Sequence, residues 1–388
     1  MPARPDKAGK KPAVDGESPA ICLLGSHETD YPRNRSVRKA LEAAGFRILL
    51  AHSGAPFPWR HFILAWRCLR LRGQSRWIWV TEGGHRLVPW VKLLAKLTGR
   101  KVAFDPFLSR YNTRVEDRRL YRPGGLQARI AHWQDWSSTR SADLLVFDTE
   151  EHKHYFYRRY GLSQPHLILP VGVPEEVFHP LPQTGAGAPL DPFPPLPPQS
   201  PRPGFRVLFY GSYIPLQGVE WIVAAAAFMR ETDVRFTLIG GGQTFAEIEA
   251  RARALALPNL ALLPAVPEAA LPAWIAHSQV CLGIFGDTLK AANVVPNKVV
   301  QAAALGRPMI TRDSPAIRRY FRDGENAVLV PAASPQTLAE AILALRDDAA
   351  RRERLGRGAR RVFEASFSVT ALSRLLKATL ATESVSGE

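Results

Sequence analysis

The chain has 388 residues, 46% of them hydrophobic and 22% charged, enough for two or three globular domains; this excludes one small module, a coiled coil or general disorder. Lys and Arg number 51 against 35 Asp and Glu, a formal charge of +16, so an anionic partner is expected: nucleic acid, a lipid surface or a phosphorylated substrate. Cys22, Cys68 and Cys281 lie far apart with no CxxC spacing, which points away from a disulfide framework or a zinc ribbon and fits a reducing compartment.

Residues 1–19 hold no apolar run of signal-peptide length and read as a disordered tail. No segment reaches the roughly 18 apolar residues of a membrane span, so a cytoplasmic protein is expected. Ala20 to Gly25 (AICLLG), a helical pattern over Ser36 to Ala44 and the run Phe46 to Ala51 open a βαβ unit. Trp77 to Val80, Lys101 to Phe104 and Ala142 to Phe147 read as further strands. Their continuous rather than alternating apolar character predicts a parallel sheet covered on both faces, over residues 20–180. Residues 181–204 are proline-rich and read as a semi-rigid linker. The βα alternation then restarts over 205–364, with strands at Arg206 to Tyr210, Arg235 to Ile239, Leu260 to Leu263 and Val280 to Phe285. Helices are expected at 217–231 and 243–256, and residues 365–388 form a C-terminal helix and tail. The expected fold class is α/β, two Rossmann-like domains.

The charge is uneven: residues 1–180 carry a net +12 and residues 181–388 a net +4. Between Pro56 and Lys101, ten Lys or Arg face one acid, Glu82, among Trp59, Trp66, Trp77, Trp79 and Trp90. A helix over 59–71 places Trp59, Phe62, Trp66 and Leu69 on one stripe beside Arg60, Arg67 and Arg70, and a second over Pro89 to Leu97 offers Trp90, Leu94 and Leu97 with Lys92 and Lys96. Such helices can lie on an anionic leaflet, at roughly 1 kcal/mol per basic residue. The alternative is a solvated face of ordinary sheet-covering helices. No helix-turn-helix, zinc or RNP signature supports nucleic acid as the partner.

Short catalytic signatures are absent: no GxSxG, HExxH, GxxxxGK[ST] or kinase set. His152 and His154 sit at i and i+2, point apart on a helix and read as solvated surface rather than metal ligands. Gly240 to Gly242 ends a strand and opens a helix, a tight turn that could also cradle phosphate. The most informative stretch is Cys281 to Asp313. A strand ends at Phe285, a polar loop with Lys290 follows, Pro296 precedes a helix from Asn297 to Leu305, and Arg307 to Thr311 returns as a strand. The first-turn amides of that helix, with Lys298, form a positive end suited to a diphosphate.

The run PNKVVQAAALGRPMIT resembles the pyrophosphate-binding helix of the family 4 (group 1) retaining glycosyltransferases. Phe209 to Glu220 resembles that family's glycine turn and KG loop, Pro170 to Pro180 its stretch before the interdomain linker, and His27 to Arg35 its N-terminal acceptor-side loop. The resemblance implies a GT-B architecture, two Rossmann-like domains facing across a cleft. It also implies transfer of a sugar from a nucleotide-sugar to an acceptor with retention, without a metal or other cofactor. On the donor side it assigns Gly211, Ser212, Gln217, Pro264, Val266, Lys290, Asn293, Asn297, Lys298 and Gln301. On the acceptor side it assigns Arg33 and Asn34, with Asp105, in the place of the family's catalytic histidine, and Lys298 as catalytic residues. The chain departs from the pattern at four places. The family's two glutamates fall on Asn293 and Gln301, and its phosphate-contacting Arg and Lys fall on Ser212 and Gln217. A lipid-linked or envelope glycan acceptor and peripheral attachment to the inner face of the cell membrane follow from the basic first domain. The alternative is a catalytically impaired partner or regulatory protein on the same fold.

Overall fold

The computed structural model describes residues 19–25, 31–56, 59–182, 190–193 and 204–385, with side chains to 380. Residues 27–30 of the expected acceptor-side loop lie outside the described residues, as do residues 1–18 of the expected tail and residues 183–189 and 194–203 of the expected linker.

The N-terminal domain runs β1 (Ala20–Gly25), α1 (Pro32–Ala43), β2 (Arg47–His52), α2 (Trp59–Arg70), β3 (Trp77–Val80), α3 (Val88–Thr98), β4 (Lys101–Phe104), α4 (Leu126–Ser141), β5 (Leu144–Phe147), α5 (Glu150–Tyr160) and β6 (His166–Ile168). Its six parallel strands lie in the order β2-β1-β3-β4-β5-β6. The strands are apolar throughout because helices cover both faces: Cys22 and Leu24 point into one core layer with Leu64, Val91 and Phe156, and Ile21 and Leu23 into the other with Val37 and Leu41. Trp77 and Trp79, at 4% and 0% exposure, belong to this core and not to the basic surface.

The C-terminal domain follows with β7 (Phe205–Ser212), α6 (Val219–Phe228), β8 (Val234–Gly241), α7 (Phe245–Ala254), β9 (Leu260–Leu263), α8 (Leu271–His277), β10 (Val280–Leu282) and α9 (Leu289–Asn293). It continues with α10 (Asn297–Ala304), β11 (Met309–Arg312), α11 (Pro315–Arg318), β12 (Val328–Val330), α12 (Pro335–Asp347), α13 (Ala349–Ser366) and α14 (Val369–Val385). Its sheet is also six-stranded and parallel, in the order β12-β11-β10-β7-β8-β9. Two expectations need correction here. The polar loop around Lys290 is a short helix, α9, because Thr288 caps it by accepting from the Ala291 amide at 3.2 Å. The strand read over 280–285 ends at Leu282.

The last helix returns to the first domain. Leu372, Leu376 and Leu380 recur every four residues, one stripe of α14, and pack with Ile21, Val37, Ala40 and Leu41 under the N-terminal sheet. The chain crosses this junction at Gly172, where a Cβ would stand 2.8 Å from Leu372 Cδ1 and 3.1 Å from Ser36 Cβ, so a larger residue would have to push α1 and α14 side chains aside. Among the described residues no helix is long and apolar enough to cross a membrane.

Leu376 is fully buried, so Leu376→Ala is expected to cost about 3 kcal/mol from lost transfer energy and the residual cavity. The loss should appear in the unfolding of the N-terminal domain, followed by hydrogen exchange of β1 and α1. Loss confined to α12 and α13 would contradict this packing of α14.

Candidate functional site

Both sheets end their strands toward the seam between the domains, the place where open α/β sheets bind ligands. In the C-terminal domain, β7 ends at Gly211 and Ser212, a turn at Pro215–Gln217 follows, and α10 starts behind it. Pro296 occupies the N-cap of α10 and no side chain caps the helix, which leaves first-turn amides available to an anion. Lys298, in that first turn, is 6% exposed. Its ammonium donates to Gln217 Oε1 and stands 3.7 Å from the centroid of the Phe209 ring. Among the described residues it has no carboxylate partner, and burial alone pushes it well below the ordinary lysine range. Gly211, at φ +142°, keeps the space beside it open: a Cβ there would lie 3.0 Å from Lys298 Nζ. Gln301, one turn on, accepts from Tyr210 Oη at 3.0 Å, so what it can offer a ligand is its amide N–H. Asn297 is half-buried at the start of the helix. Pro264 and Val266 follow β9, and Val266 packs against the cluster that holds Tyr210 and Val299.

Lys290 and Asn293 sit on α9, which packs against the Pro215–Gln217 turn of this corner through Ala291 and Leu216, and they are tied into the seam. Lys290 Nζ donates to Thr113 Oγ1 at 2.8 Å, Thr288 Oγ1 to Asp117 Oδ1 at 2.8 Å, and Thr149 Oγ1 to the Asn293 carbonyl at 2.5 Å. Burial brings Lys290 down to about 8, with Asp117 opposing and Arg118 adding to the fall. Thr149 also caps α5 by accepting from the His152 amide, so one hydroxyl holds a helix start and the opposite domain together.

On the N-terminal side, Arg33 and Asp105 are 2% and 1% exposed and are each other's partner, Arg33 Nε to Asp105 Oδ2 at 2.8 Å. Arg33 also donates to the carbonyls of Leu169 and Pro170 at 2.8 Å. What this pair leaves over is Asp105 Oδ1 and Arg33 Nη2, both buried and without a partner. Burial raises Asp105, and Arg33 counteracts it. Asn34 points elsewhere, into a small pocket with Gly25, Arg38 and Thr81. Phe107, the third residue past β4, holds φ +50° against Tyr31, a strained backbone at the seam. That loop is fixed from behind by Asp135 of α4, whose carboxylate accepts from Ser109 Oγ, the amides of Arg110 and Tyr111, and Tyr160 Oη at 2.7–3.0 Å.

Three charged groups in this cleft escaped the sequence reading. Glu82 follows β3 and is pushed up to about 7, first by burial and then by Asp105, with Arg110 opposing. Its signal was present: it is the one acid of the basic window. Arg110 is held near Glu82, and Arg118 lies beside Lys290 and Tyr31. The Arg118 carbonyl accepts from Gln243 Nε2 of the opposite domain at 2.9 Å, and its Nε is buried without a partner. His152 needs correction. It is 5% exposed and bonded to Asp148 Oδ1 at 2.7 Å, inside the core beside Phe147 and Phe156, and only His154 lies on the surface. Among the described residues, no three His, Cys, Asp or Glu side chains converge as a metal site.

Residues 204–348 match the family Glycosyl transferases group 1. The chain is similar to a phosphatidyl-myo-inositol mannosyltransferase of Mycobacterium leprae, 33% identical over 177 residues, 44% of this chain and 45% of that one. It is also similar to a D-inositol 3-phosphate glycosyltransferase of Thermomonospora curvata, 28% identical over 244 residues, 57% of this chain and 53% of that one. The chain thus spans about half the length of the curated relatives it matches. Among solved structures, Anabaena HepE in complex with UDP and glucose superposes with a TM-score of 0.67 at 13% identity, covering 94% of this chain and 100% of that one. Sucrose-phosphate synthase of Thermosynechococcus elongatus superposes with a TM-score of 0.69 at 16% identity, covering 95% and 100%. The two facing Rossmann-like domains are therefore a GT-B fold.

Glu82 supplies a pH test. Its folded-state value lies above the ordinary 4.5, so the stability tied to its neutral form is present below pH 4.5 and is lost as pH rises to about 7. Glu82→Gln is expected to melt higher than the parent at pH 8, by about 2–4 °C for each 1 kcal/mol gained, and level with it near pH 4.5. Equal melting at both pH values would remove Glu82 from the cleft's charge balance.

Proposed function

We infer, from the premise that the C-terminal domain belongs to the group 1 glycosyl transferases, that the chain is a retaining glycosyltransferase. It takes a nucleotide-sugar in the corner between β7 and α10 and an acceptor from the N-terminal side. The observation that carries this reading is Lys298: an ammonium taken out of water, held by an amide and an aromatic face, with no anion of its own. Burying a charge without a counter-ion is costly unless a ligand supplies one. A diphosphate placed against the uncapped amides of α10 does so, and the same groups stabilise the charge that grows on the leaving nucleotide as the bond to the sugar breaks.

The remaining assignments follow from position. Gln301 offers an N–H to the ribose, Pro264 and Val266 border the base, and Gly211 leaves room for the phosphates. Ser212 and Gln217 carry no charge, so the second cation is Arg118, reaching from the N-terminal domain with an unpartnered Nε beside Lys290. The protein side of this site supplies positive charge from side chains and helix amides, which supports transfer without a metal. The free faces of Asp105 and Arg33 meet the acceptor. That acceptor is a lipid-linked or envelope glycan, presented at the inner face of the cell membrane.

The loss of both family carboxylates, at Asn293 and Gln301, favours one second reading, an impaired homologue that binds donor and acts as a partner protein. Slow hydrolysis of donor without acceptor separates the two, since only the enzyme shows it.

Lys298→Met keeps the aliphatic volume and removes the charge. Affinity for UDP and GDP, each titrated by calorimetry, is expected to fall about 10- to 100-fold, the worth of one charge-assisted hydrogen bond, while the melting temperature stays level or rises. Unchanged affinity for a nucleotide that the parent binds would place the donor elsewhere.

A further inference from the structure

We propose that the outer faces of α2, α3 and α4 form one continuous surface that docks the protein on an anionic phospholipid bilayer. The three helices lie side by side, α2 on α3 and α3 on α4. The inward residues Leu64 and Cys68 of α2 and Val88, Val91 and Ala95 of α3 share one core layer with the sheet. What they turn outward is unusual for a free surface. On α2, Trp59, Phe62 and Trp66 are 65%, 66% and 51% exposed, and on α3 Trp90 and Leu97 are 62% and 75% exposed. The helix α4 extends the patch: Leu126, Ile130 and Trp133 follow at helical spacing with exposures of 74%, 43% and 58%. An apolar surface of this extent marks an interaction site.

Charge names the occupant. The three helices contain a single carboxylate, Asp135, and it is fully buried. The exposed charges on them are all positive: Arg67 and Arg70, Lys96, Arg129 and Arg140. Two of these stack on exposed indoles, Arg70 at 3.8 Å from the Trp66 ring centroid and Arg140 at 5.7 Å from that of Trp136. A second protein would be expected to find hydrogen-bonding groups of both signs. A face rich in tryptophan and unpaired cations, whose neighbouring carboxylate Asp143 is already paired with Lys92, suits the glycerol and phosphate depth of an anionic leaflet.

The inner side of α4 connects this face to the cleft. Asp135 binds Ser109, Arg110 and Tyr111, the loop that leaves β4 beside Asp105. Bilayer contact through Trp133 is thus one helix thickness from the acceptor side, which gives a lipid-linked acceptor a short path into the cleft. This last step rests on the transferase reading, whereas the docking surface does not.

The test compares the full chain with the triple variant Trp66→Ser, Trp90→Ser, Trp133→Ser. Both are co-sedimented with vesicles of phosphatidylcholine alone and of equal parts phosphatidylcholine and phosphatidylglycerol, at low salt and at about 0.5 M salt. The parent is expected to partition onto the anionic vesicles, less onto the neutral ones, and less at high salt. The variant should lose about tenfold or more of that partition while its circular dichroism and its stabilisation by UDP match the parent. Absence of parent binding to anionic vesicles, equal binding by the variant, or a parent dimer that the variant dissolves in place of vesicle binding would overturn the proposal. Vesicle binding without any nucleotide effect would leave the surface standing and count against the transferase reading alone.

Discussion

A lysine ammonium inside a protein needs a reason, and in this chain the reason organises the C-terminal domain. Lys298 is reached by no carboxylate among the described residues; its charge rests on the Gln217 amide and the Phe209 ring. Both are poor substitutes for water, since a cation over a ring returns about 0.5–2 kcal/mol against a desolvation cost of several. The deficit is tolerable because the rest of the corner is rigid. Lys298 is anchored by its place in the first turn of a helix whose Val299, Val300 and Ala302 are buried, and by Tyr210, which ties Gln301 to β7. The domain thus holds a positive charge and a set of helix amides in place before any anion arrives, which is the preorganisation that electrostatic catalysis requires.

The seam between the domains uses a different chemistry. It is made largely of hydroxyls and amides, Thr113 to Lys290, Thr288 to Asp117, Thr149 to Asn293 and Gln243 to Arg118, with surface ion pairs at Arg35–Glu268 and Arg319–Glu151. Such contacts are individually weak and can be exchanged for water at little cost. The apolar connection lies to one side, where Gly172 passes between α1 and α14. The crossing is thus apolar, whereas the contacts named across the seam are polar.

Most of the architecture was legible because most strands are largely apolar runs bounded by helical periodicity, as a sheet buried on both faces requires; β6 and β12, three residues each, are too short to show it. The start of α10 was legible because Pro296, Asn297 and Lys298 announce a helix start with a cation in its first turn. Other features depend on distance in space and leave no trace in spacing. Arg33 and Asp105 are 72 positions apart, and nothing local says that they neutralise each other. His152 was read from its own helix alone; its partner Asp148 lies one turn earlier and turns the ring inward. Trp77 and Trp79 look like their neighbours on the surface stripe but occupy a strand. The helix α4 drew no notice because its average composition is polar, and only its buried Asp135 and exposed Trp133 show that its two faces do different work.

That division of labour in α4 bears on how a basic, tryptophan-rich domain can serve an enzyme. Surface charge attracts an anionic partner without choosing one, and a free basic patch near the cleft would compete with Lys298 for phosphates. Here the two populations of cations are kept apart. Arg67, Arg70, Lys96, Arg129 and Arg140 of α2, α3 and α4 are exposed, whereas Arg110, Arg118 and Lys290 are drawn into the seam, near Glu82 and Asp117. The acids that the outer face lacks are gathered in the cleft, so the field inside is local and directed while the field outside is diffuse. On the proposed reading, attachment and substrate recognition both use positive charge in one small domain, because burial and pairing, rather than residue type, decide which anion each cation meets.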